Sequence, residues 1–439
     1  MIKRLLIANR GEIAVRIIRS CREAGIETVA VYSEADAESL HVKLADEAVC
    51  IGPPPSVKSY LVPENLIMAA LRRGCDAVHP GVGFLSENAA FADLVNNAGL
   101  LFIGPSPDLI ELLGDKVAAR AAAERFGLPV TPGTKEAVLG EEAARAAVKT
   151  LGFPVIIKAA AGGGGKGMRV VRDQEELAVN FRLCVREAEA AFADGRVFIE
   201  RYIEKPRHVE LQVLSDGAGK VALLGDRDCT VQQNHQKLVE ESPSHAISAA
   251  MRQAMAEGAE RMFRELRYCG AGTIEFLVEG DAYYFMEVNA RLQVEHPVSE
   301  MLTGVDIVRQ QTLACTEGRI ELTGGVVPAR GHALECRINA QGPGSITRLR
   351  SPGGPGVRFD SHLYQGADVP PWYDSLLAKL IVHAETRPAA LARMDRALGE
   401  LVIDGVKTNQ PTQRSIIAHP VFRAGVFDTS FYEKHIDGA

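Results

Sequence analysis

Residues 272–297, GTIEFLVEGDAYYFMEVNARLQVEHP, constrain this 439-residue chain more tightly than any other segment. Apolar residues alternate on either side of Glu275 and again before Glu287, the period-two mark of strands. Gly280-Asp281 places a turn between the two runs. A strict two-residue turn sets Glu275 opposite Met286 and sends Glu287 to the other face. A three-residue turn, Gly280-Asp281-Ala282, pairs Glu275 with Glu287 instead and aims both carboxylates the same way; that is the turn we expect. The two glutamates and Asn289 then supply oxygen ligands suited to Mg²⁺ carrying substrate phosphates. Arg291, Gln293 and Glu295 alternate just beyond, where an arginine holds a small anion and a glutamate acts as general base. The plain alternative is a pair of solvated glutamates on an ordinary hairpin.

The rest of the composition is that of an ordinary soluble protein, 46% hydrophobic and 24% charged. Its length leads us to expect two or three domains. A net charge of −7 and the lack of a basic run argue against a nucleic-acid partner. The basic, then apolar N-terminus breaks at Asn9-Arg10-Gly11-Glu12, too early for a signal peptide. No apolar run reaches the roughly eighteen residues of a membrane span, so we expect a cytoplasmic protein. Eight cysteines without a CxxC pair point to reduced thiols rather than a metal cluster.

Hydrophobic patterning predicts an opening βαβ unit, with a strand over 3–8, a helix over 12–24 and a strand over 28–32. The alternation continues to about residue 110 as a parallel sheet wrapped by helices. The loop His79-Pro80-Gly81-Val82-Gly83 falls at the carboxyl end of a strand, where open α/β sheets bind ligands. After the Pro/Gly joint LPVTPG, a small α+β insert to about residue 204 reads as a lid. Long strands, a helix over 246–267 and the hairpin follow. A third, mixed unit begins after about residue 320.

Within the insert, Ala161-Gly162-Gly163-Gly164-Gly165-Lys166-Gly167 fits neither familiar nucleotide motif. Ala160 and Gly167 break the Walker A pattern. The MRVVR run after it is a strand, whereas a Rossmann fingerprint must open a helix. A strand–glycine loop–strand remains, a flap whose bare amides close over phosphates. Lys158 before the flap and Lys116 at a helix start read as partners for nucleotide phosphates. His235, Lys237 and Glu240-Glu241 are expected on a polar loop.

These motifs together resemble biotin carboxylase, of the ATP-grasp superfamily. Lys116, VIIKAAAGGGGKGMRVV, ERYIEKPRHVELQVL, GDRDCTVQQNHQKLVEE, the hairpin and ECRINA carry the likeness, which runs from NRGEIA at residue 9 to DGVKTN at 404–409. The resemblance implies an N-terminal Rossmann-like domain over 1–114 and an ATP-grasp domain over 115–320 with its lid at about 131–204. A C-terminal mixed α/β domain over 321–439 completes the expected α/β and α+β fold. It implies ATP contacts from Lys116, Lys158, Gly164, Gly165, His208 and His235, with Glu200, Arg201, Tyr202 and Ile203 against the adenine. Glu275, Glu287 and Asn289 are implied ligands of Mg²⁺ or Mn²⁺. Lys237, Arg291, Gln293 and the Val294 backbone are implied to seat bicarbonate, Glu295 to deprotonate it, and Arg337 to stabilise charge on the biotin ureido oxygen.

The implied reaction is the first half-reaction of a biotin-dependent carboxylase such as acetyl-CoA carboxylase. With no AMKM-like biotinylation site in the chain, biotin is expected on a separate biotin carboxyl carrier protein. A carboxyltransferase component and a homodimer are implied as well. Four departures from the family pattern stand out: Gln233-Asn234 for two arginines, Val82 for tyrosine, a shortened QGPGSITR stretch, and Arg201 for lysine. They lead us to expect intact bicarbonate activation with altered docking of biotin or its carrier. Two other readings stay open: a ligase passing an acyl phosphate to another nitrogen, and a non-catalytic regulatory paralogue.

Overall fold

The N-terminal strands pair in parallel in the spatial order third, second, first, fourth, fifth, from Glu47–Gly52 through Arg4–Ile7 to Leu101–Phe102. That order reverses direction between Arg4–Ile7 and Ala77–His79, and ligands of open parallel sheets bind at such a switch point. The computed structural model describes residues 2–160 and 167–437. The expected flap residues Gly164 and Gly165 lie outside the described residues.

The strands Val155–Ala159, Met168–Val171 and Val197–Arg201 form a small antiparallel sheet. Helices Glu141–Leu151 and Gln174–Phe192 back it through a core of its own, with Ile157, Leu177 and Cys184 buried. The lid predicted from the alternation is thus a packed unit.

Among the described residues nine strands make the main sheet, including Arg207–Asp216, Val221–Gln233, Gln236–Ser242 and the hairpin Cys269–Glu279 with Ala282–Asn289. The strand Gln236–Ser242 pairs with His332–Asn339, and that in turn with Leu376–Ala384, so the sheet runs uninterrupted past residue 320. Buried Leu5, Ile7 and Ile13 pack with Leu214, Leu292 and Ile307, which seats the N-terminal sheet against the main one.

Two local expectations need correction. The hairpin turn is the two-residue Gly280-Asp281, with Glu279 paired to Ala282, and not the three-residue turn. Glu275 nevertheless pairs with Glu287, because a bulge between the Glu275 and Phe276 pairings lets Met286 slip out of register. The segment bearing Lys237 and Glu240-Glu241 is not a loop: Val221–Gln233 and Gln236–Ser242 form a hairpin within the sheet. Only Asn234 and His235 make its turn, both at positive φ (50° and 63°). Asparagine tolerates that conformation well, which explains Asn234 where the family pattern has arginine.

Candidate active site

A cavity of about 880 Å³ opens between the N-terminal sheet and the main sheet, whose strand His332–Asn339 brings Arg337 to its lining. Its N-terminal wall comes from the carboxyl ends of the two switch-point strands. Arg10 stacks over Tyr373 at 4.0 Å and is held by both oxygens of Asp36. Asn9 Nδ2 donates to the carbonyls of Pro80 and Val82, at 2.7 and 2.8 Å, and so shapes the loop predicted to face a ligand.

On the opposite wall the hairpin presents Glu275 and Glu287 together. Glu275 is held on both oxygens: Lys237 and Asn289 donate to Oε1 at 2.9 Å each, and His208 Nε2 lies 2.9 Å from Oε2. Burial works against its ionised form, but Lys237 and His208 win and hold its pKa low. Glu287 accepts no hydrogen bond among the described residues. Burial first and the charge of Glu275 second raise its pKa. Two carboxylates pressed together with one of them unserved are the environment a divalent cation relieves, and the oxygen donors suit Mg²⁺.

Lys237 lies between Glu275 and Glu295. Its ammonium is 2.7 Å from Glu210, 2.9 Å from Glu275 and 2.6 Å from Glu295. Burial lowers its pKa, but these three carboxylates outweigh that and keep it charged. Glu295 is fully buried behind Lys237 and Arg337, with Arg337 3.0 Å from its second oxygen. Burial opposes its charge, and Lys237, Arg337 and Arg227 overcome that, so it is ionised at neutral pH. Arg291 donates to Asn289 Oδ1 at 2.9 Å and to Gln293 Oε1 at 3.1 Å, and Gln293 and Val294 line the same cavity.

A narrower recess beside the cavity holds Lys116, Lys158, Glu200 and Glu287. Lys158 is paired to Glu200 at 2.6 Å, and Arg120 also reaches Glu200. Burial lowers the pKa of Lys116, only partly offset by Glu287. Arg201 donates to the Tyr284 hydroxyl at 3.1 Å, Tyr202 is half-buried and Ile203 is buried. His208 accepts from Gln232, and His235 is exposed at the hairpin turn on the cavity rim. The described candidate residues therefore line one cavity and its recess, except Arg201, Tyr202, Ile203 and the buried Glu295, which line neither.

Several contributors escaped the sequence reading. Arg120 stands one helical turn beyond Lys116 on Lys116–Arg125, an i,i+4 spacing that could have signalled it. Glu87 holds Arg291 Nε at 2.7 Å from the N-terminal unit, and no local pattern announces it. Arg227 is fully buried and ties Glu210 (2.6 Å), Gln212 (2.7 Å) and Ser299 (2.9 Å) together beneath Lys237.

Residues 1–110 match the family model "Biotin carboxylase, N-terminal domain", and residues 335–434 match "Biotin carboxylase C-terminal domain". Residues 115–319 match "Carbamoyl-phosphate synthase L chain, ATP binding domain". The biotin carboxylase of Pseudomonas aeruginosa is 49% identical, over 99% of this chain and 99% of its own length. The chain belongs to the biotin carboxylase family. A biotin carboxylase of Campylobacter jejuni in complex with β,γ-ATP superposes with a TM-score of 0.97 at 44% identity, covering 99% of both chains. The biotin carboxylase domain dimer of Hydrogenobacter thermophilus 2-oxoglutarate carboxylase, bound to MgADP, ADP and bicarbonate, gives 0.95 at 43%, covering 99% of this chain and 98% of the other. The biotin carboxylase ATP-grasp fold is therefore that of this chain, and no described helix is long and apolar enough to cross a membrane.

Proposed function

We propose that this chain carboxylates biotin with ATP and bicarbonate, the first half-reaction of a biotin-dependent carboxylase. The observation that carries it is the Lys237 ammonium, clasped by Glu210, Glu275 and Glu295 with Arg291 and Arg337 beside it. This is a cationic seat for a small anion, set between a metal-type carboxylate pair and an ionised base.

Lys116, Lys158 and His235 would hold the nucleotide phosphates, with Gly164 and Gly165 closing over them, and His208 would steady the nucleotide beside Glu275. Glu200, Arg201, Tyr202 and Ile203 would bound the adenine. Glu275, Glu287 and Asn289 would hold Mg²⁺ or Mn²⁺, which when bound neutralises phosphate charge. Bicarbonate would sit on Lys237, Arg291, Gln293 and the Val294 backbone. As Lys237 turns from Glu295 to the incoming anion, Glu295 loses the partner that depresses its pKa most and becomes the stronger base. The deprotonated oxygen attacks the γ-phosphorus, the bond to the bridging oxygen breaks, and ADP leaves. Carboxyphosphate then splits to CO₂ and phosphate, phosphate takes the ureido proton, and the nitrogen attacks CO₂. Arg337 stabilises the ureido oxygen as charge gathers there, and closure of the lid keeps water from the labile intermediate.

The unit 115–320 (lid about 131–204) would act as the nucleotide clamp, and the units 1–114 and 321–439 would wall the acceptor side, through Val82 and Arg337. A homodimer in the cytoplasm, served by a separate biotin carboxyl carrier protein and a carboxyltransferase component, fits this reading. Val82 on the cavity wall supports altered docking of biotin or its carrier. ATP hydrolysis that requires bicarbonate and rises with added biotin tests the proposal; hydrolysis indifferent to bicarbonate overturns it.

A further inference from the structure

Lys379 has no exposed surface at all, a rare condition for a lysine unless it is paired. It lies on Leu376–Ala384, directly opposite Arg337 across the strand pair. Its ammonium donates to the Val294 carbonyl at 2.8 Å and lies 3.0 Å from Glu12 Oε2. Glu12 belongs to the first turn of Gly11–Glu23 in the N-terminal unit. One buried cation thus joins three regions of the chain: the N-terminal helix, the turn beyond the hairpin and the C-terminal strands.

The turn it touches is unusual in how its backbone is held. Three successive carbonyls are each taken by a side chain: Leu292 by Arg291 Nη1 at 3.1 Å, Gln293 by His296 Nδ1 at 2.7 Å, and Val294 by Lys379. Arg291 and His296 lie within or next to the turn and would move with it. Of the three partners only Lys379 lies on a distant strand; the Glu295 side chain is tied to the sheet separately, by Lys237 and Arg337. Without the Lys379 donor the Val294 carbonyl has no side chain to fix it, so its peptide plane can rotate although the Glu295 side chain stays tied to Arg337, and a small planar anion tolerates such misplacement poorly.

We propose that Lys379 is a positioning residue for the bicarbonate seat: it fixes the Val294 peptide, and through Glu12 makes that seat depend on the placement of the N-terminal unit. The proposal rests on the reading of residues 291–295 as that seat. ATP sits on other elements, so its affinity is set independently.

Steady-state ATP hydrolysis by the full-length chain with saturating biotin, titrating bicarbonate and ATP separately, tests this. Lys379→Met removes the donor at similar length. Lys379→Met with Glu12→Gln also removes the carboxylate that would otherwise be stranded, and carries the test if the single variant does not fold. We expect the KM for bicarbonate to rise about ten-fold or more, from the loss of a charged hydrogen bond, and the KM for ATP to stay within about two-fold. Equal rises in both constants, or an unchanged bicarbonate KM in a folded variant, overturn the proposal. Wild-type hydrolysis that ignores bicarbonate sinks instead the reading on which it rests.

Discussion

Glu240 faces Glu335 across the paired strands Gln236–Ser242 and His332–Asn339, and both are fully buried. Arg337 Nε donates to Glu240 at 2.6 Å, whereas Glu335 accepts no hydrogen bond among the described residues. Burial first, and the neighbouring carboxylates after it, push Glu240 up to about 7 against the pull of Arg337, and push Glu335 well above the usual range. Burial and the charge of Glu240 thus favour the neutral form of Glu335, which lessens the negative charge on one face of the Arg337 site.

A pH dependence of stability follows. The folded chain binds protons at Glu240 that the unfolded chain has already released. Its favourable contribution is full below about 4.5 and is lost as pH rises through about 7. Urea denaturation of Glu240→Gln and wild type at pH 5, 6, 7 and 8 should show the variant gaining ground steadily toward pH 8. A difference that stays flat across that range contradicts the assignment.

Glu241, next in sequence, behaves in the opposite sense. Burial raises its pKa, but hydrogen bonds from His332 (2.8 Å) and Arg387 (2.6 and 3.1 Å) bring it down to about 2. Its contribution is present above about 4.5 and disappears as pH falls toward 2. Glu241→Gln should cost about 3–5 kcal/mol at pH 7, as for a broken buried pair, with KM values unchanged because the residue lies off the cavity. Chemical denaturation alongside steady-state kinetics measures both halves.

Arg337→Ala should lower the biotin-dependent rate by about 10²–10³, the scale of a lost oxyanion donor, with the KM for ATP within about two-fold. It also strands Glu240 and frees Glu295 from one partner. Combining Arg337→Met with Glu240→Gln should restore stability and leave the rate low. Recovery of the rate in the double variant would show that Arg337 acts only through packing.

The carboxylate pair predicts a ligand effect on stability. MgATP at about 100-fold its Kd should stabilise the chain by about 2.7 kcal/mol, read as a rise in Tm. Chelating the metal, or Glu287→Lys, should abolish the rise, since Glu287 is the partner left without a hydrogen bond among the described residues. An equal rise in the variant would move the metal elsewhere.

Val82→Tyr should lower the KM for free biotin and leave the KM for bicarbonate unchanged. Val82 lines the cavity on the N-terminal wall, on a different element from Lys237 and Glu295, so an added ring there should fill space on the acceptor side. A changed bicarbonate constant would place that wall nearer the activation chemistry than its position implies.

The main elements were legible because their signals are local. Alternation around Glu275 and Glu287 marked two strands, and the β/α alternation up to residue 110 marked a parallel sheet. The alignment of the two carboxylates was anticipated, but by the wrong device: nothing in FMEVN says that the register will shift beside Met286, because a bulge is a property of how two strands pair and not of one strand's pattern. The run DRDCTVQQNHQKLVEE looked like a loop because it is rich in polar residues. In the fold Asp226, Arg227, Asp228, Glu240 and Glu241 are buried while the turn residues Asn234 and His235 stay exposed, and composition cannot distinguish a solvated charge from a compensated one.

The amino-acid sequence by itself determined the strands and helices, the carboxylate-rich hairpin and the motif order that marks a biotin carboxylase, since each depends on periodicity or on residues close in the chain. Only the tertiary structure decided how charge is shared: Lys237 among three glutamates, Arg337 between Glu240 and Glu295, Lys379 between Glu12 and Val294. Those partners lie tens to hundreds of residues apart, and their ionisation depends on burial and distance, which exist only once the sheets have packed.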